Sequence, residues 1–145
     1  ENVKKIVVTQ QARTARFEIP PHDDNFRIES SSRRAPAEVE LLGMMPHMHF
    51  RGKRMKFTAK YPDGSEELLL SVPDYDFNWQ LAHEFEEPYR IPAGTQIIAT
   101  GAFDNSSQNP ANPDPSAEIN WGEQSWEEMF MGFYSWKNVD QGGED

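Results

Sequence analysis

Two histidines separated by one residue are the side chains of this sequence best suited to chemistry. His47 and His49 lie in the segment Met-Pro-His-Met-His-Phe at 45–50, and Met129 lies far downstream in Glu-Glu-Met-Phe-Met. Residues two apart on an extended strand leave the same face of the backbone, so both imidazoles are expected to point toward one site. Two imidazoles and a thioether suit copper, and Cu(I) in particular. These residues therefore predict copper redox chemistry.

The methionines near the pair also have a plainer interpretation. Met44, Met45 and Met48 are compatible with copper binding, but methionine commonly fills irregular gaps in apolar cores. Met129 and Met131 share a face of the last predicted strand, so either one is a candidate ligand or a core residue. The periodicity of the strand is equally consistent with either methionine as the ligand.

Other polar residues give weaker signals. We interpret His22, in a proline-flanked turn, and His83, at the start of an acidic strand, as surface histidines. The carboxylates lack the regular Asp/Asn spacing of a calcium loop and are interpreted as a solvated face; they are Glu84, Glu86, Glu87, Glu123, Glu127 and Glu128. Core packing is the expected role for most of the aromatic residues Phe77, Trp79, Trp121 and Trp126, with pocket lining as the alternative.

Composition narrows the class of protein. The chain has 145 residues, about the usual size of one domain, and a formal net charge of -10, which disfavours binding to nucleic acid. It contains no cysteine, which excludes zinc ribbons, iron–sulfur clusters, disulfide frameworks and blue copper centres. No apolar run approaches the roughly 18 residues of a membrane span. Because the sequence begins at Glu1, we expect a processed form or a piece of a longer protein.

Alternation and turn signals predict an all-β chain. The expected strands cover residues 3–9, 15–19, 26–29, 38–50, 54–61, 66–72, 83–87, 95–103 and 126–136. Pro-Asp-Gly-Ser at 62–65 predicts a hairpin, and residues 104–115 predict a long surface loop. We expect one antiparallel β-sandwich, jelly-roll-like, over residues 1–136 and a flexible acidic tail over 137–145.

Several sequence blocks resemble a known family. They include MPHMHFRGK, YPDG, YDFNWQ, IPAGT, FDNSSQNPANP and WGEQSWEEM. The chain resembles the copper type II, ascorbate-dependent monooxygenases, which include peptidylglycine α-hydroxylating monooxygenase and dopamine β-monooxygenase. It is most similar to their single-domain bacterial relatives at the C-terminal ends of larger secreted proteins. The likeness extends from about residue 17 to residue 136.

The resemblance implies a ligand set and a reaction. In the family, one β-sandwich domain holds the electron-transfer copper through three histidines, and the C-terminal domain holds the oxygen-activating copper. Carried over to this chain, the oxygen-activating ligands are His47, His49 and Met129. One copper per chain would cycle between Cu(I) and Cu(II), and a substrate C–H bond would be hydroxylated. The implied location is extracytoplasmic, either periplasmic or secreted.

Three departures narrow that expectation. Only His22 and His83 remain once the pair is used, so this chain cannot build the three-histidine site, and electrons must come from another domain, another protein or ascorbate. Phe130 follows the ligand methionine where eukaryotic members carry cysteine. Met131 and Phe133 replace the polar Asn and Tyr of the peptide-amidating members, so peptide anchoring is not supported. The alternatives to an oxygenase are a copper-binding or carrier module and a scaffold domain whose copper site is lost.

Overall fold

The computed structural model describes residues 6–139, which fold almost entirely into β-strands. The strands are β1 (Val8–Thr14), β2 (Glu18–Ile19), β3 (Phe26–Ser31), β4 (Val39–His47), β5 (Gly52–Lys60), β6 (Glu66–Val72), β7 (His83–Ile91), β8 (Gln96–Phe103), β9 (Ile119–Asn120) and β10 (Phe130–Asn138). A single 3-10 turn, Phe77–Trp79, is the only helical segment within 6–139. No helix in this part of the chain is long and apolar enough to cross a membrane.

Two four-stranded antiparallel sheets pack face to face. One has the strand order β1-β10-β4-β7 and the other β3-β8-β5-β6, while β2 and β9 form a small separate pair. The predicted all-β sandwich is therefore confirmed; the more specific jelly-roll arrangement stays a prediction. The core lies between the inner faces, where β10 meets β5 and β8 so closely that a Cβ on Gly132 would lie 2.7 Å from the Phe57 ring and 2.9 Å from Ala99.

The hairpin of β5 and β6 shows how the sequence pattern becomes packing. Met55, Phe57 and Ala59 alternate with polar residues and are at most 1% exposed, as the period-two pattern predicts. Gly64 takes a positive φ of 86° in the connecting turn, a conformation that favours glycine. The predicted turn at 62–65 is confirmed.

Strands β4 and β10 are neighbours in the first sheet and carry the residues singled out in the sequence. Their antiparallel register pairs Met131 with His47 and Phe133 with Met45. Burial alternates along β10, so that Phe130 faces the core while Met131 and Phe133 lie on the outer face. Residues paired across strands share a face, which places His47 on the outer face of this sheet.

Several predicted boundaries were wrong. The first strand was predicted over residues 3–9 but runs over Val8–Thr14; residues 3–5 of that prediction lie outside the described residues. The second was predicted over 15–19, and only Glu18–Ile19 is a strand. Strand β7 continues through Pro88 to Ile91, which an edge strand of a sheet tolerates.

The last strand also differs from its prediction. It begins at Phe130, and residues 121–129 form a connection with one isolated bridge between Trp121 and Glu128. The predicted tail starts too early, because Lys137 and Asn138 belong to β10 and the Lys137 ammonium lies 3.0 Å from the Glu40 carboxylate. Residues 140–145 of that tail lie outside the described residues.

Candidate copper site

The His47 ring is held by a hydrogen bond at the C-terminal end of β4. Its Nδ1 lies 2.7 Å from Oε1 of Gln80, a residue just after the 3-10 turn. The Gln80 amide is itself oriented, because its Nε2 donates to the Phe77 carbonyl at 3.0 Å. Since Gln80 Oε1 is only an acceptor, His47 Nδ1–H must donate. The Nε2 lone pair of His47 is then available to a metal.

The His49 ring is oriented in the same way by a different partner. Its Nδ1 lies 3.2 Å from the backbone carbonyl of Glu127, which only accepts. His49 Nδ1–H therefore donates, and the His49 Nε2 lone pair is also available. This side chain is 5% exposed and packs against the Phe77 ring at a centroid distance of 5.9 Å. Metal-binding histidines commonly donate their second ring N–H in this manner.

The two imidazoles lie close enough together to share one ion. Their ring centroids are 5.2 Å apart and the rings are nearly perpendicular, at 83°. An ion bound about 2.0 Å from each ring nitrogen bridges centroids up to roughly 6 Å apart. Within residues 6–139, no group of three His, Cys, Asp or Glu residues converges on a metal position. A third ligand drawn from this part of the chain would therefore be of another type, such as a thioether.

Two methionines lie beside the pair. Met131 is the cross-strand partner of His47. Met129 precedes β10 and follows Glu127 and Glu128, both of which hydrogen-bond to His49. Both methionines are half-buried; Met129 lies directly before β10 and Met131 is its second residue. The residues proposed as ligands thus come from two chain segments that meet at one end of the sheet, and Met131 remains a geometric alternative to Met129.

The residue between the two histidines is clamped by a tyrosine. The Tyr75 hydroxyl donates to the Met48 carbonyl at 2.6 Å and accepts the Met48 N–H at 3.1 Å. Met48 itself is fully buried in the core. Gly52 is required at the next bend, because a Cβ there would lie 2.6 Å from the Tyr75 ring and 2.7 Å from the Met48 Cβ. The two hydrogen bonds of the Tyr75 hydroxyl fix the backbone of Met48, which lies between His47 and His49 in the chain.

A buried polar network fixes the segment after His49. Arg51 is 1% exposed; its Nε donates to Asn105 Oδ1 at 2.9 Å and its Nη1 to the Trp126 carbonyl at 2.7 Å. Asn105 is fully buried and its amide also donates to the carbonyls of Pro20 and Ala117, at 2.9 Å each. The long loop 104–115 is therefore anchored beside the site through Asn105.

Glu128 is the buried carboxylate of the site. It is 0% exposed, and its two oxygens accept the N–H groups of His49 and Arg51. Burial raises the pKa of Glu128 to about 8, and the backbone N–H groups of Arg51, His49 and Met129 act in the opposite direction. A protonated carboxyl would turn one oxygen into a donor facing an N–H group, so the hydrogen bonds favour the ionised form.

Burial also affects the ionisation of His49. Loss of solvent lowers the pKa of His49 below its usual value, although the Glu127 carbonyl that accepts from the ring opposes the shift. The ring is consequently kept neutral at neutral pH, the form that a metal requires.

This shift predicts a pH dependence of stability in the metal-free protein. The unfolded chain takes up a proton on His49 near pH 6.5, whereas the folded chain does so only at lower pH. The free energy of unfolding should therefore fall as the pH drops below about 6.5. Urea unfolding at pH 7.5 and 5.5 should show a smaller loss in His49→Gln than in the wild type, with His22→Gln as the control. Equal losses in all three proteins would contradict the assignment.

An apolar groove opens on the outer face next to His47. It has a volume of about 390 Å³, and its lining includes Met45, Ala82 and Phe133, with Thr9 and Glu84 at its edges. The Phe133 ring lies 6.1 Å from the His47 ring, centroid to centroid, so the groove adjoins the histidine pair. Its volume falls in the range of small-molecule sites. With Glu84 as its carboxylate, the groove suits uncharged apolar molecules better than anions.

The other predicted residues have separate locations. His22 is exposed in the turn before β3, and His83 pairs with Met44, which is buried, so His83 belongs to the opposite face of the sheet from His47. The core role expected for the tryptophans is wrong, because Trp79 is 73% and Trp126 59% exposed. Phe77 is half-buried beside His49.

Sequence reasoning missed most of the supporting residues. The expectation of a solvated face is wrong for Glu128, and Gln80, Tyr75, Arg51 and Asn105 were not singled out. The only available signal was the position of Glu128 directly before Met129 in a block shared with the resembled family.

Comparison with known proteins does not identify the chain. A scan against protein-family models finds no matching family. A search of curated proteins also finds no match. The geometry of the site therefore carries the functional assignment together with the sequence resemblance.

Proposed function

We propose that this domain binds one copper ion through His47, His49 and Met129 and serves as the oxygen-activating half of a copper-dependent monooxygenase. The observation that carries the proposal is the hydrogen bonding of the two rings. Gln80 and the Glu127 carbonyl each accept an Nδ1–H, which leaves two Nε2 lone pairs on rings 5.2 Å apart. A soft thioether as third ligand favours Cu(I).

Copper, when bound, would supply the one-electron redox chemistry needed to reduce O2. In the overall reaction one oxygen atom enters a substrate C–H bond as a hydroxyl group and the other leaves as water. Each turnover takes two electrons and two protons, with ascorbate or a partner domain or protein as the donor. The protein's own contribution is to orient the ligands, keep His49 neutral and offer an apolar groove to a small-molecule substrate. The resemblance to domains of secreted proteins supports a location outside the cytoplasm.

The test compares two substrates, toluene and 4-methylbenzoate, that share a benzylic methyl group and differ by one carboxylate. Only toluene lacks a negative charge that the Glu84 carboxylate in the groove would repel. With copper and ascorbate, we expect O2 consumption that depends on toluene and yields benzyl alcohol, with far less turnover of 4-methylbenzoate. His47→Ala should abolish the reaction.

Two outcomes would change the assignment. Stoichiometric copper binding with O2 consumption that forms no product from any of a panel of uncharged probes would favour the copper carrier. Absence of copper binding would leave only the scaffold interpretation and would contradict the proposal.

A further inference from the structure

We propose that Glu128 is the positioning residue of this copper site, tying the backbone of the His49 segment to that of Met129. The inference rests on the proposed function and deepens it. Glu128 Oε2 accepts the His49 N–H at 2.8 Å, and Oε1 accepts the Arg51 N–H at 2.7 Å. Met129 is the next residue in the chain, bonded directly to Glu128. The residue that immediately precedes Met129 therefore holds the backbone of the His49 segment through its side chain.

The fold makes such a tie necessary. Strand β4 ends at His47 and β10 begins at Phe130, so His49 and Met129 both lie beyond the ladder of hydrogen bonds that pairs these strands. The ladder fixes His47, but the separation of the other two ligands depends on contacts outside it. Glu128 provides those contacts from a position that is 0% exposed.

The backbone of Glu128 is itself fixed. Its N–H donates to the Asn120 carbonyl at 3.3 Å, and its carbonyl accepts the Gly122 N–H at 3.0 Å. The carboxylate thus extends from an anchored segment. A change in the length or hydrogen bonding of this side chain should therefore shift His49 relative to Met129.

Glutamine is the informative replacement because it keeps the size of the side chain. Its Oε1 can accept one N–H, but its Nε2 is a donor and cannot accept the second. Either the His49 or the Arg51 N–H is then left unsatisfied in Glu128→Gln. The His49 segment should shift relative to Met129, while the hydrogen bonds of both rings to Gln80 and Glu127 can persist.

The experiment measures both oxidation states of copper. In Glu128→Gln we expect Cu(I) affinity, from competition with a chromogenic chelator, to fall by roughly 10–100-fold, the usual cost of losing a residue that orients a metal ligand. Cu(II) affinity should fall less, and X-ray absorption of the reduced protein should lose its Cu–S shell. Glu40→Gln is the matched control, since Glu40 lies on the same sheet and pairs with Lys137; it should behave as the wild type.

A double variant distinguishes a role in positioning Met129 from a general loss of order at the copper site. If Glu128 acts through Met129, Glu128→Gln should weaken Cu(I) binding little further in a Met129→Leu background. Glu128→Asp, which keeps the charge but is one methylene shorter, replaces the glutamine variant if that protein does not fold, and it should also lose the Cu–S shell.

The outcomes distinguish the two proposals. A folded Glu128 variant that keeps wild-type Cu(I) affinity and the Cu–S shell overturns the positioning role while the copper site stands. Equal losses of Cu(I) and Cu(II) affinity, undiminished in the Met129→Leu background, would also overturn it. A wild-type protein that binds no copper overturns the proposed function and, with it, the role of Glu128.

Discussion

Replacing either His47 or His49 by alanine is expected to remove stoichiometric copper binding. Each ring supplies an oriented Nε2, and within residues 6–139 no third His, Cys, Asp or Glu joins the pair to take its place. The affinity should fall by at least about a hundredfold, more than the usual loss for a residue that only orients a ligand. Calorimetric titration should show one copper per chain in the wild type and no resolvable binding in the variants.

The two remaining histidines provide matched controls for this loss. His22 lies in an exposed turn and His83 opposite Met44, so alanine at either position removes an imidazole without touching the pair. Both variants should bind one copper with wild-type affinity. Stoichiometric copper in the His47→Ala/His49→Ala double variant would show that the ligand assignment is wrong.

The local sequence pattern was sufficient to predict the β-sandwich and the proximity of the two histidines. Strict alternation in β5 identified its buried face, and the spacing of His47 and His49 predicted that the two rings lie close together. Proline was a weaker guide, because the strand predicted over 83–87 stops before Pro88, whereas β7 continues through it to Ile91. An edge strand can place proline where no ladder hydrogen bond is needed, and edge position is a property of the whole sheet.

The residues that orient the histidines could not be predicted in the same way. Gln80 is 33 residues from His47 in sequence, and the Glu127 carbonyl is 78 residues from His49. Contacts of that range depend on which strands become neighbours, and a local pattern does not encode this. Burial of Glu128 has the same origin: in sequence it belongs to an acidic cluster, and only the approach of the His49 segment gives its oxygens N–H partners.

The identity of the sulfur ligand leads to the second large prediction. Met129→Leu should lower Cu(I) affinity by about tenfold or more, which is about 1.4 kcal/mol or more of binding free energy. Cu(II) affinity should change little, because the thioether is a soft ligand that favours Cu(I). Leucine is close to methionine in volume, so the fold should lose less than about 1.5 kcal/mol of stability. X-ray absorption of the reduced protein should show the loss of the Cu–S shell.

Met131→Leu is the control that decides between the two methionines. Met131 faces His47 across the strands, so its thioether lies on the same side of the sheet, and geometry alone leaves it as a competitor. If Met129 is the ligand, Met131→Leu keeps the Cu–S shell and nearly all of the Cu(I) affinity. The reverse pattern would transfer the ligand role to Met131 and contradict the assignment that the resemblance implies. Because both residues are half-buried and lie within two positions of each other at the start of β10, each variant removes one sulfur atom from the same end of the sheet.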